Sequence, residues 1–262
     1  MKVFASCNQK GGVGKTTFAF HFAKALIEKG RKVLLVDFDS QGNLSLLFGK
    51  NSCTSLEIFN GDKPTLTVET VDPALGREQF AIVTADSRLS TAEGITGASM
   101  FTKLRKQLRA VDLPWDCAII DCPPSLGLFT LNALVAADHL VIMSEPSLFS
   151  VVGLDNLMKM VKEIVEEGVN EKLTVAGIIL NQAAKTTVTT DAVQTLGTKY
   201  PNLALKTMIP NSVKVEEAIQ RAMPVWEYAP GNPAANAFKA VIEELCTRLG
   251  GVGAMGGTTV AA

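Results

Sequence analysis

"CNQKGGVGKTT", Cys7 to Thr17, is the stretch on which the fold turns. It closes with Gly14-Lys15-Thr16, the end of the phosphate-loop pattern G-x-x-x-x-G-K-[ST]. Where that pattern opens with glycine this chain has Gln9, and a second lysine, Lys10, follows it. Before the stretch lies "KVFASC", a short apolar strand run. After it, "TTFAFHFAKALIEKG" has the period of a helix and a glycine stop. Strand, glycine loop and helix in that order let backbone N–H groups converge on an anion, with the positive end of the helix dipole behind them. The expected nucleotide loop is therefore Lys10, Gly11, Gly12, Val13, Gly14, Lys15, Thr16 and Thr17. Lys15 would reach the β- and γ-phosphates of ATP, and the Thr16 hydroxyl would ligate Mg²⁺. Lys10 has two readings. It points into solvent, or it crosses a two-fold interface to a partner's γ-phosphate, as an arginine finger does.

Outward from the loop, unbroken apolar runs recur: "KVLLVDFD", "FAIVTA", "CAIIDC", "HLVIMS", "LTVAGIIL" and "LALKTMI". Helical stretches such as "LDNLMKMVKEIVEEG" separate most of them. Strands without alternation are buried on both faces, so the expected fold class is α/β: a single P-loop NTPase domain with a mostly parallel twisted sheet and helices on both faces. With no linker rich in Pro or Ser, the expected domain spans 1–249, and the Gly/Ala-rich tail 250–262 is expected to be disordered. No apolar run reaches the ~18 residues of a membrane span. The five cysteines have no paired spacing, which with no export signal favours reduced thiols in the cytoplasm. A net charge of −1 gives no general attraction to nucleic acid, so any DNA contact needs a local basic patch.

K-G-G-V-G-K-T-T, with both lysines, is the deviant Walker A motif, and it resembles the ParA/MinD family of P-loop ATPases. The resemblance covers nearly the whole chain. "VLLVDFDSQGN" is similar to the family's V-L-L-V-D-x-D-P-Q-G-N, with Ser40 in place of proline. It implies that Asp39 positions or activates the attacking water and that Asp37 supports the loop and metal from behind. "AIIDCPPSLG" matches the family's Walker B segment, implying that Asp121 sits behind the Mg²⁺ shell. By the same resemblance Asn181, Pro210 and Asn211 border the adenine, although Asn and Pro at strand ends also serve simply as turn formers. Cys122 reads as a small buried residue rather than a redox group.

The family's branches differ in what the ATP state grips. The last helical stretch, "NPAANAFKAVIEELCTRLG", mixes acids and bases and reads as packed on the body, unlike the basic amphipathic end of a MinD-type membrane ATPase. Lys185 and Lys214 align with DNA-contacting arginines of ParA relatives. A lysine keeps the charge and loses the bidentate fork, and either residue also reads as ordinary surface charge. The chain opens on its first strand, so no N-terminal helix-turn-helix is expected. The resemblance thus implies an ATP-bound homodimer on nonspecific double-stranded DNA, associated with the nucleoid in the cytoplasm and not with a membrane. Its hydrolysis would be stimulated by a ParB-like or other adaptor, so as to position a plasmid, a chromosome origin or a protein cargo. The alternatives are a membrane-cycling ATPase of the MinD type, a small-molecule P-loop ligase or kinase, and a nucleotide-gated interaction module.

Overall fold

The computed structural model describes residues 1–48, 53–59, 80–89, 98–110 and 114–251. Six apolar runs become strands: β1 (Lys2–Cys7), β2 (Val33–Asp37), β3 (Phe80–Val83), β4 (Cys117–Asp121), β5 (His139–Ser144) and β6 (Thr174–Leu180). They form one sheet in the order β3-β2-β4-β1-β5-β6, and every pairing is parallel. Alternate residues of each strand feed two different cores. Val3, Ala5 and Cys7 of β1 face one, and Phe4 faces the other. That is why the strands read as unbroken apolar runs.

The first core is covered by α3 (Lys103–Ala110), α4 (Leu128–Ala136), α5 (Leu148–Glu166) and α6 (Thr187–Lys199), through Leu104, Phe129, Leu157 and Leu196 among others. The second is covered by α1 (Lys15–Glu28), α2 (Asn43–Leu46), α7 (Val213–Ile219), α8 (Val225–Tyr228) and α9 (Pro233–Arg248). In α1, Phe18, Phe22 and Leu26 recur every fourth residue and are fully buried, each contributing about 1.5–3 kcal/mol of transfer free energy. Gly30, at φ +77°, ends that helix in the left-handed conformation. Asn232 caps α9, its side chain accepting from the Ala234 N–H at 2.9 Å, with Pro233 in the first turn.

One expected strand is absent. "LALKTMI" makes an isolated bridge at Ala204, beside Ile178, and a second follows just past it at Pro210, beside Ala183. Leu205 and Ile209 donate to the β6 carbonyls of Ile178 and Leu180 at 2.9 and 2.8 Å, and between them the Glu244 carboxylate of α9 accepts from the N–H groups of Lys206 and Thr207 at 3.1–3.4 Å. The Arg248 guanidinium, paired with Glu244, donates to the carbonyls of Asn202, Leu203 and Ala204 at 2.9–3.2 Å. The segment still lies tightly on β6, where a Cβ at Gly177 would meet Leu205 Cδ1 at 2.2 Å. Gly250 and Gly251, expected to begin the tail, close α9, with Gly251 N–H donating to the Cys246 carbonyl at 2.8 Å. The remainder of the expected tail, 252–262, lies outside the described residues.

Candidate functional site

The C-terminal ends of β1, β2, β4 and β6 deliver their loops to one edge of the sheet, where a cleft of about 510 Å³ opens. This is the crevice at which parallel sheets hold ligands. Gly11, Gly12, Gly14, Lys15, Thr16 and Thr17 line it together with Asp39, Asn181, Pro210 and Asn211. Among the described residues its walls also include Asn43, Leu46 and Leu47 of the α2 region and Val215, Ile219 and Gln220 of the α7 region, which no motif singles out.

The loop takes its shape from two positive-φ glycines, Gly12 at +74° and Gly14 at +93°. Gly14 is constrained twice over, because a Cβ there would lie 2.3 Å from Asn181 Nδ2. That amide donates to the Val13 carbonyl at 2.9 Å, and the neighbouring Gln182 amide donates to the Gly12 carbonyl at 3.0 Å. Two consecutive side chains at the end of β6 thus hold consecutive carbonyls of the loop. Gln182 itself sits at φ +58°, a conformation uncommon for a residue with a side chain. Asn181, expected beside the adenine, lines the cleft, with its amide hydrogen committed to the loop.

Lys15 is buried, and its ammonium donates to the Lys10 carbonyl at 2.9 Å. Burial lowers its pKa, and the charge of Asp121 is the largest effect opposing that. Lys10 points the other way. It is absent from the cleft lining, and its ammonium pairs with Glu145 just beyond β5. Asn8 fixes the start of the loop, accepting from the Lys10 N–H at 3.0 Å and donating to the Met143 carbonyl at 2.5 Å.

Three carboxylates approach the loop from below. Asp37 and Asp121 face each other across β2 and β4. Burial raises the Asp37 pKa to about 6, opposed by hydrogen bonds from Ser45. Burial and then the charge of Asp37 push the Asp121 carboxyl well above the usual range, opposed by nearby Thr16 and Lys15. Neither Asp121 oxygen has a hydrogen-bond partner among the described residues. A buried carboxylate left unpaired is costly, and a divalent cation would relieve the cost. The donors fit magnesium: hard oxygens from Asp121 and the Thr16 hydroxyl, with Asp37 behind. Among the described residues no three acidic, histidine or cysteine side chains gather as a metal cage. Magnesium needs few protein ligands when water and phosphates supply the rest. Asp39 lines the cleft, with Oδ1 accepting from the Gln41 N–H at 3.0 Å.

The two expected DNA contacts lie outside this constellation. Lys185 is exposed ahead of α6. Lys214, on α7, is ion-paired with Glu217 at 2.8 Å, which raises its pKa. Cys122 is fully buried, with its sulfur 2.9 Å from that of Cys7. No helix among the described residues is long and apolar enough to cross a membrane.

Comparison with known proteins agrees with this geometry. The AAA domain profile matches residues 1–175. Over 252 residues the chain is 33% identical to the chromosome-partitioning ATPase Soj of Treponema pallidum, covering 95% of this chain and 98% of that one. Among solved structures it is similar to apo McdA of Cyanothece, with a TM-score of 0.82, 26% identity and 94% and 99% of the two chains covered. It is also similar to cobyrinic acid a,c-diamide synthase of Mycobacterium smegmatis with bound ADP and magnesium. There the TM-score is 0.75, the identity 27% and the coverage 92% of each chain.

Proposed function

The chain belongs to the ParA/MinD family of P-loop ATPases, and from that membership we propose that it hydrolyses Mg-ATP as a homodimer that grips nonspecific DNA. Hydrolysis, stimulated by an adaptor protein, releases the dimer and so positions a cargo. In this reading the glycine-loop amides and Lys15 bind the phosphates, and Thr16 and Asp121 hold the magnesium, which neutralises phosphate charge when bound. Asp39 orients the attacking water from the cleft wall.

The observation that carries the reading is the direction of Lys10. A lysine within the phosphate loop whose ammonium is turned away from its own cleft and pairs with Glu145 would serve a second subunit by exchanging that partner for the γ-phosphate. The apolar face of α9 is spent on the core through Phe238, Val241 and Leu245, so this helix does not offer it to a membrane.

The test is Lys10→Ala. ATP affinity should stay near wild type, because Lys15 and the loop amides remain. ATP-dependent dimerisation should be lost, and turnover should fall by ~10³-fold, as for other cations acting in trans. A variant that dimerises and hydrolyses normally would leave Lys10 a surface lysine, and one that cannot bind ATP would place it in its own loop's chemistry. The likeness to the diamide synthase supports a second reading, an ATP-dependent ligase. Phosphate release from ATP with no small-molecule substrate present rules that reading out.

A further inference from the structure

Ser45 belongs to none of the motifs that point to the nucleotide, yet three elements meet at its hydroxyl. The Oγ–H donates to Asp37 Oδ2 at 2.7 Å, and the Ser45 N–H reaches the same oxygen at 2.9 Å. The hydroxyl oxygen in turn accepts from the Ala85 N–H, just past β3, at 2.7 Å. One small side chain thereby uses its proton and a lone pair to join the ends of β2 and β3 to α2.

The turn carrying Asp39 hangs from this node. The other oxygen of Asp37 accepts from the Asp39 N–H at 3.1 Å, and the Asp39 carbonyl accepts from the Gly42 N–H at 2.8 Å. Gly42 lies at φ +65°, and a Cβ there would stand 3.5 Å from Ala85. The turn is thus tied through Asp37 to Ser45, and through Ser45 to Ala85. Leu44 anchors α2 in the core while its neighbour Leu46 is 79% exposed. Apolar packing thus fixes one side of this short helix, and the Ser45 hydroxyl fixes its rotation. That rotation also sets Asn43 and Leu46 on the cleft wall.

The structure assigns to Ser45 a positioning role in hydrolysis: its hydroxyl holds the Asp37 carboxylate and, through it, the turn that presents Asp39 to the cleft. This rests on the hydrolytic reading proposed above. Ser45 does not line the cleft. It acts by keeping a reacting geometry in which small misplacements cost up to ~10²-fold in rate.

The experiment compares Ser45→Ala and Ser45→Thr for ATP hydrolysis, for binding of a fluorescent ATP analogue and for thermal stability. Ser45→Ala should lower kcat by roughly 10- to 100-fold, with analogue affinity and KM essentially unchanged. Ser45→Thr, which keeps the hydroxyl, should recover most of that rate. If Ser45→Ala does not fold, the near-isosteric Ser45→Cys supplies the same comparison. An unchanged kcat in the alanine variant overturns the role. So does an effect confined to KM, or a threonine variant as slow as alanine. In each of those cases the hydrolytic reading stands, because the wild type turns over. Absence of hydrolysis by the wild type, with and without DNA, overturns both.

Discussion

At the scale of single residues, the proposed function separates groups that bind from groups that act. Lys15 is the lysine of the loop that lines the cleft, so on the proposed reading Lys15→Gln should weaken ATP binding by at least ~10-fold, the worth of one charge-assisted hydrogen bond. Asp39→Ala leaves the loop intact and should keep ATP affinity while slowing hydrolysis by ~10²-fold or more. Isothermal titration beside a phosphate-release assay separates the two, and equal hydrolysis by Asp39→Ala and wild type would remove Asp39 from the chemistry. His21, one turn along α1 from Thr17, makes a different prediction. Its Nδ1–H donates to the Thr17 carbonyl at 2.7 Å, and Nε2 accepts from the Val225 N–H at 3.0 Å. Its ring stacks on Phe238 with centroids 4.2 Å apart. Both nitrogens are satisfied only in the neutral ring, and burial lowers the pKa from 6.5 to about 4. The depressed folded-state value means that the stability is present above pH 6.5 and is lost as pH falls from 6.5 toward 4. The loss is on the order of 3 kcal/mol. Denaturant titrations across that window should show the fall in wild type and a flatter profile in His21→Gln.

At the scale of elements, the clamp made by α9 on residues 202–207 has a measurable worth. Glu244→Ala removes the acceptor of two backbone amides and the ion-pair partner of Arg248, and should cost about 0.5–1.5 kcal/mol. Hydrogen exchange should quicken at residues 205–209 and not in β1. Uniform exchange across the sheet would mean that Glu244 is dispensable. The same segment marks the limit of what was legible beforehand. Six strands showed as apolar runs because burial on both faces leaves a local imprint in composition. "LALKTMI" carries the same imprint. It donates to β6 only at Leu205 and Ile209, while the amides of Lys206 and Thr207 go to a carboxylate thirty-eight residues beyond Lys206, which no window over the segment contains. The site divides in the same way. The glycine loop and the aspartates at strand ends are local patterns with local physics. Ser45 and Gln182 are ordinary letters until the fold sets them against Asp37 and the Gly12 carbonyl. Asn181 was visible as a strand-end amide, but its grip on the loop was not.

At the scale of the whole molecule, the proposed DNA surface can be weighed by its charges. Lys185→Glu and Lys214→Glu should each weaken binding of the ATP state to random-sequence duplex and flatten its dependence on salt, by about 0.9 in log–log slope per lost phosphate contact. The effect of Lys214 should be the smaller, because its ammonium must first leave Glu217. Binding measured at several salt concentrations decides the matter, and unchanged slopes in both variants would place the DNA elsewhere or remove it. The strand order carries a further consequence, for the birth of the chain. β1 is synthesised first, yet its neighbours are β4 and β5, whose pairing residues run from Cys117 to Ile142. While the intervening chain leaves the ribosome, the strand that ends in the phosphate loop has both edges open. Open edges recruit other strands, and such late pairing makes folding slow. Chaperone demand in the cell should therefore be set by how long this first strand waits for its neighbours, and pausing translation before residue 117 should raise aggregation more than pausing after residue 144.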